Sequence, residues 1–187
     1  MMRRPANILR RFAASTRGVA AIEFAMIMPV LAIMFLAAFD GGRAIAAYMK
    51  VRAATYALAS ITNQYSTIQS SDMTNIVGAA ATVMAPYATT SSNPVITISQ
   101  IKISSTGNAT ISWSYSQGGT ARSSITLPAT ALDIKSSYLI LAEVSYTFTP
   151  LFGFFTAGAL TFSDNLYVTP RVSNCINYST VTTCVTG

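Results

Sequence analysis

The chain has 187 residues, enough for one domain and too few for most two-domain arrangements. Half of it (51%) is apolar and only 10% is charged, against about 25% charged residues in ordinary soluble domains. That balance argues against a cytosolic globular protein, and its apolarity excludes intrinsic disorder. There is no histidine, so the commonest general base and the commonest metal ligand are both missing.

The formal charge of +6 is concentrated at one end. Arg3, Arg4, Arg10, Arg11 and Arg17 fall in the first seventeen positions with no acid among them; beyond Gly18, seven basic residues face six acidic ones. A nucleic-acid binder spreads its cations over a folded face with polar or aromatic partners. Here the basic block stops at an apolar run, the pattern of a segment retained on the cytoplasmic side of a bilayer. Nucleic acid is therefore not an expected partner, and the lipid bilayer is.

The run, Val19 to Phe39, would make a helix of about 31 Å, matching the hydrocarbon thickness of a membrane. It is longer than the apolar core of a secretory signal and lacks a small-residue cleavage site after it. The expected organisation is a basic cytoplasmic leader (1–18), a transmembrane helix (19–39) and an exported domain (40–187). Leu139 to Phe162 is also apolar, but its first half alternates with period two and it carries Glu143 and Pro150, so one span is expected. Glu23 lies inside the run, where a carboxylate either sits at the hydrated interface or has a functional partner. Pro29 implies a kink.

Asp40-Gly41-Gly42-Arg43 follows the run. Asp40 and Arg43 are spaced to pair on one helix face, and the glycines allow either a hinge or a continuous helix. Then Ala44, Ala47, Val51, Ala54, Leu58, Ile61 and Tyr65 recur at 3-4 spacing and predict an amphipathic helix. Its apolar stripe is expected to pack on a sheet, with bundling against other subunits as the alternative. A second helix is expected from Ser70 or Ser71, capped by the hydroxyl, with Met73, Ile76, Val77, Ala80 and Met84 buried and Pro86 ending it.

From Ala88 to Ser136 the sequence turns rich in Ser and Thr with few charges, which suits a half-exposed sheet. Strands are predicted over 94–104 and 108–116, joined by a turn at 105–108, and over 137–149 and 159–169, with another turn at Gly118-Gly119. Ile111, Trp113 and Tyr115 alternate cleanly, whereas Ile96 and Ile98 change phase against Ile101 and Ile103, which predicts a bulge. The expected fold class is α+β: an N-terminal transmembrane helix continuing into a long amphipathic helix, packed on a small antiparallel sheet. Leu151-Phe152-Gly153-Phe154-Phe155 forms an aromatic loop, expected in the core, or on a partner or membrane surface if exposed. Cys175 and Cys184, nine apart, are expected to bridge in an oxidising compartment, with two free thiols as the alternative.

A basic leader ending in Gly, four apolar residues, then Glu-Phe and a long apolar helix resembles a type IV pilin-type signal. The string Arg17-Gly18-Val19-Ala20-Ala21-Ile22-Glu23-Phe24-Ala25, followed by Pro29 and Asp40-Gly41-Gly42-Arg43, is similar to the TadE/TadG-like family of minor pseudopilins of the tight-adherence (Flp) pilus system. The resemblance is strong over about residues 17–56. It implies processing between Gly18 and Val19 by a prepilin peptidase in members of the TadE kind, and an uncut anchor in TadG-like members. It also implies that Glu23, with Phe24 beside it, compensates the new ammonium at Val19, which would otherwise enter low dielectric unpaired.

No catalytic set can be assembled. The six acids are scattered, and there is no phosphate-binding glycine loop and no metal-ligand cluster. No enzyme activity, metal or cofactor is expected. Two functions remain: a structural assembly subunit contacting other pilus subunits or inner-membrane assembly proteins, or an uncleaved inner-membrane anchor carrying a periplasmic binding or adhesion module. Either has its N-terminus in the cytoplasm and its C-terminal domain in the periplasm, and the first can also enter a surface pilus.

Overall fold

A computed structural model describes residues 18–87, 89–128, 134–153 and 158–179, together with Cys184. Helix α1 spans Val19–Thr62 without a break. It runs through Pro29, which has no N–H to offer the carbonyl one turn earlier, and through Gly41 and Gly42, so the continuous-helix option holds and there is no hinge. A Cβ at either glycine would meet nothing within 4 Å. Those glycines serve no tight intrachain contact.

The short strand β1 (Thr67–Ile68) leads into helix α2 (Ser70–Val83). The hydroxyl cap expected at Ser70 or Ser71 is a correction: the N-cap is Gln69, in a capping box with Asp72, whose Oδ2 accepts the Gln69 N–H at 3.0 Å. Both serines lie inside the first turn. The five residues expected on the buried side of α2, from Met73 to Met84, are all buried.

Strands β2 (Val95–Ile103), β3 (Ala109–Gln117), β4 (Ser137–Phe148) and β5 (Leu160–Val168) form one antiparallel sheet in the order β3-β2-β4-β5. Their bounds fall within a residue or so of the predicted ones. The last strand, β6 (Asn177–Tyr178), pairs in parallel with β1. The fold is therefore α+β, with the C-terminal half of α1 and all of α2 on one face of the sheet.

The expected bulge falls at the predicted place but on β3, so it does not account for the isoleucine phase change. β2 pairs with β4 residue for residue from Val95 to Ile103, so β2 itself is regular. Ile96 and Ile98 join the core beneath the helices, whereas Ile101 and Ile103 join a second cluster on the opposite face, with Leu139 and Leu141. The register shift falls opposite Gln100 and Ile101, and the extra residue is Ser112 on β3. That shift puts Ile111 with the second cluster while Trp113 and Tyr115 stay with the first. Clean alternation in sequence had implied a single face for all three. Ile125 and Leu127 cover the second cluster.

The C-terminal segment is pinned to the helix side of the sheet. The Trp113 indole N–H donates to the Ile176 carbonyl at 2.8 Å, and the Ile176 N–H donates to Gln100 Oε1 at 2.7 Å. Cys175 and Cys184 are joined by a disulfide, with Cα atoms 5.7 Å apart.

Candidate assembly helix and membrane-exit collar

Helix α1 divides into two environments. From Val19 to Phe35 every side chain is exposed, Phe24 at 64% and Phe35 at 70% among them. None of the most apolar eighteen-residue window is buried, and this is the one helix among the described residues long and apolar enough to cross a membrane. Water would make such a surface costly, at about 25 cal/mol per Å² of apolar area. A removable signal does not fit the sequel, because the same helix becomes the spine of the domain core further on.

In that second stretch the stripe expected from spacing lies against the sheet and α2. Ala47, Val51, Ala54 and Leu58 are fully buried in the main core, and Ala44 and Ile61 pack against its edge. Alanines at two of these positions let the backbone approach closely. The buried hydroxyls of Thr55 and Thr62 donate to the Val51 and Leu58 carbonyls one turn back, so neither is left unpaired. The other face of α1 is open: Ile45, Tyr48, Met49 and Tyr56 are large apolar groups left exposed.

Gly18 is the N-cap of α1 and offers no side-chain cap. Val19 and Glu23 are one turn apart on the same helical face. Glu23 is exposed and forms no ion pair among the described residues. Phe24 adjoins it, also exposed. These four residues thus lie at the N-terminal end of the helix, away from the sheet.

Where the exposed stretch meets the domain, the structure differs from the sequence expectation. Asp40 does not pair with Arg43. Its carboxylate is gripped by the β4–β5 loop: Oδ1 accepts the Leu151 N–H at 3.1 Å, and Oδ2 accepts those of Phe152 and Gly153 at 2.8 and 3.1 Å. Desolvation pushes the Asp40 carboxyl up, but the three backbone donors and the nearby Arg43 charge together outweigh it and hold the group below its ordinary range. Arg43 instead lies over the rings of Phe39 and Phe148, at 5.9 and 5.8 Å. Its carbonyl accepts the Tyr87 hydroxyl at 2.8 Å.

Further aromatic edges close this collar. Phe39 meets Phe152 at 6.2 Å, Tyr48 meets Phe162 at 6.0 Å, and Tyr87 meets both Tyr146 and Phe148. The core placement expected for the aromatic loop is corrected for its described residues: Leu151 and Phe152 remain 63% and 42% exposed, while their N–H groups are held by Asp40. Phe154 and Phe155 lie outside the described residues. Nothing in the sequence flagged the Asp40 grip, since its partners lie 111–113 positions away.

Among the described residues the acids do not gather elsewhere. Glu143 forms an ion pair with Arg122, and Asp164 is the register partner of Val144, which puts it on the opposite face of the sheet from Glu143. Among the described residues no group of Asp, Glu or Cys is arranged to hold a metal ion.

Helix, sheet and collar define a class of protein: a small α+β domain built on the far half of a helix whose near half is membrane-length and bare. Within that class, residues 18–60 match the model of the TadE-like protein family, a match that points to a protein associated with the tight-adherence pilus. It covers α1 from its N-cap almost to its end. No curated protein and no solved structure matches the chain.

Proposed function

We propose that the chain is a minor pseudopilin, or pilus-assembly structural subunit, of a tight-adherence type IV pilus system, anchored by residues 19–39 and processed between Gly18 and Val19. On this reading residues 1–18 are a cytoplasmic leader removed by a prepilin peptidase, and residues 40–187 are the exported, periplasmic domain. The observation that carries the reading is α1 itself: one unbroken helix, matched by the TadE-like model, whose first half is bare and whose second half is the spine of a sheet domain.

The role of each residue follows from its position. Cutting after Gly18 leaves an ammonium at Val19, one turn from the Glu23 carboxylate. That carboxylate, from the same or a neighbouring subunit, neutralises the amine in low dielectric and fixes the axial stagger of packed helices. Phe24 contributes apolar contact beside it. Because Ala47, Val51, Ala54 and Leu58 are used inside the chain, contact between helices of neighbouring subunits runs through the opposite face, with Ile45, Met49 and Tyr56. The partners are other pilus subunits or inner-membrane assembly proteins. The family is a structural one, and no chemistry is assigned to the chain.

The test is the intact mass of the protein isolated from membranes of cells with an active prepilin peptidase. A mature chain beginning at Val19 supports the subunit reading. An intact leader at steady state overturns it in favour of an uncut anchor displaying a periplasmic binding module. Glu23→Gln separates the finer claim: unchanged pilus assembly in that variant removes charge compensation from the account.

A further inference from the structure

We propose that the β4–β5 loop is a second membrane contact, in which Leu151 and Phe152 enter the headgroup–acyl boundary of the outer leaflet beside the emerging helix and set the domain's orientation on the bilayer. The inference rests on reading residues 19–39 as a bilayer span.

Depth along the helix carries the argument. From Val19 to Phe39 the helix covers about 31 Å, the thickness of the hydrocarbon layer, so Asp40 lies at its outer boundary. Helical Cα–Cβ bonds tilt toward the N-terminus, which here is toward the membrane. The Asp40 carboxylate is therefore aimed toward the membrane side of its backbone, and it holds the three loop N–H groups at 2.8–3.1 Å. A loop gripped at that point cannot stand off from the lipid surface.

The chemistry of the loop agrees with that depth. The N–H groups of Leu151, Phe152 and Gly153 are satisfied by the carboxylate, which lowers the penalty for bringing this stretch of irregular backbone near hydrocarbon. Its side chains are turned outward: Leu151 and Phe152 are exposed, Phe152 edges against the ring of Phe39, and Phe39 is itself 47% exposed. These three form an apolar patch continuous with the bare surface of the span. Arg43, over the Phe39 ring, lies at the level where lipid phosphates are found. Aromatic and cationic groups at such a boundary match the composition of membrane interfaces. Lipid is thus the occupant favoured by continuity.

The experiment uses the full chain in phosphatidylcholine–phosphatidylglycerol vesicles containing lipids with a quenching nitroxide high on the acyl chain. Phe152→Trp and, separately, Leu151→Trp put an indole on the loop, and Leu31→Trp puts one in the span; wild-type Trp113, buried on the sheet, supplies the background. The proposal expects lipid quenching and blue-shifted emission for both loop indoles, and loss of that quenching when Asp40→Asn is added, since the amide NH₂ then faces donors. Loop indoles quenched by aqueous iodide but not by lipid, while the span indole is lipid-quenched, overturn the loop contact and leave the anchor standing. Loop indoles reached by neither quencher also overturn it, because protein then covers the loop. A span indole untouched by lipid overturns the anchor reading and this inference with it.

Discussion

Two neighbouring alanines on α1 separate the faces of the helix, and the separation is measurable. Ala54 is fully buried among the residues of the main core, whereas Ala53, one residue earlier, is exposed. Ala54→Leu forces three extra carbon atoms into a close-packed seam between α1 and the sheet, at a cost of about 1–3 kcal/mol. For a domain of this size about 1 kcal/mol moves the melting temperature by roughly 2–4 °C, so the drop should lie between about 2 and 12 °C by that conversion. Ala53→Leu adds the same atoms on the open side and should stay within about 0.5 kcal/mol. Trp113 reports the transition, because it is the only tryptophan and is nearly fully buried. Thermal melts followed by its emission, on full-length chain in detergent, give both values. On the proposed pilus reading Ala53→Leu also impairs assembly while leaving the melt alone. Equal destabilisation by the two substitutions, or a larger effect at Ala53, would refute the assignment of faces.

Gly118 has φ near +78°, and a Cβ there would come within 2.9 Å of the Ser92 Cα. Gly118→Ala should therefore cost about 1–3 kcal/mol through strain, read as a lower denaturant midpoint at unchanged slope. Reduction of the Cys175–Cys184 bridge, or the paired Cys→Ala substitution, releases a short loop; the loss expected is about 2–3 kcal/mol, and an unchanged melt would mean the loop is held by other contacts. The Asp40 carboxyl is held below its ordinary value, so the stability it contributes is present above the unfolded carboxylate range of about 3.9 and is lost as pH falls through the lowered folded value. The melting temperature of Asp40→Asn in detergent should fall below that of wild type near neutral pH, and the gap should shrink as pH falls through the lowered Asp40 value; a gap independent of pH would remove the ionised carboxylate from the explanation.

Much of this fold is written as periodicity. The 3-4 spacing from Ala44 to Tyr65 and the alternation in β4 are local signals; they place both helices and put the four strands within a residue or so, although α1 stops at Thr62, short of Tyr65, and α2 at Val83, short of Pro86. The misreadings share a cause: contacts between residues far apart in sequence. A second apolar cluster on the far face of the sheet explains why Ile101 and Ile103 fall out of phase, and no pattern within β2 distinguishes that from a bulge in the same strand. Capping of α2 went to Gln69 rather than serine because Asp72 completes a reciprocal box with the Gln69 N–H. Spacing makes Asp40 a partner for Arg43, yet the carboxylate takes three loop N–H groups while the Arg43 guanidinium packs over the Phe39 and Phe148 rings. Composition points to core for the aromatic loop, yet its described residues Leu151 and Phe152 stay exposed while their N–H groups are tethered to Asp40. At the helix start the position is reversed: Gly18, Val19, Glu23 and Phe24 stand out by motif, and the fold adds only that they share a helix end, with Val19, Glu23 and Phe24 exposed.

The proposed topology is a single helix crossing the bilayer with the sheet domain beyond it. Membranes from cells making the chain should retain it through alkaline carbonate extraction, and protease added to intact spheroplasts should digest the domain down to a fragment the size of the span. Release of the chain by carbonate, or a domain protected until the inner membrane is broken, would contradict it.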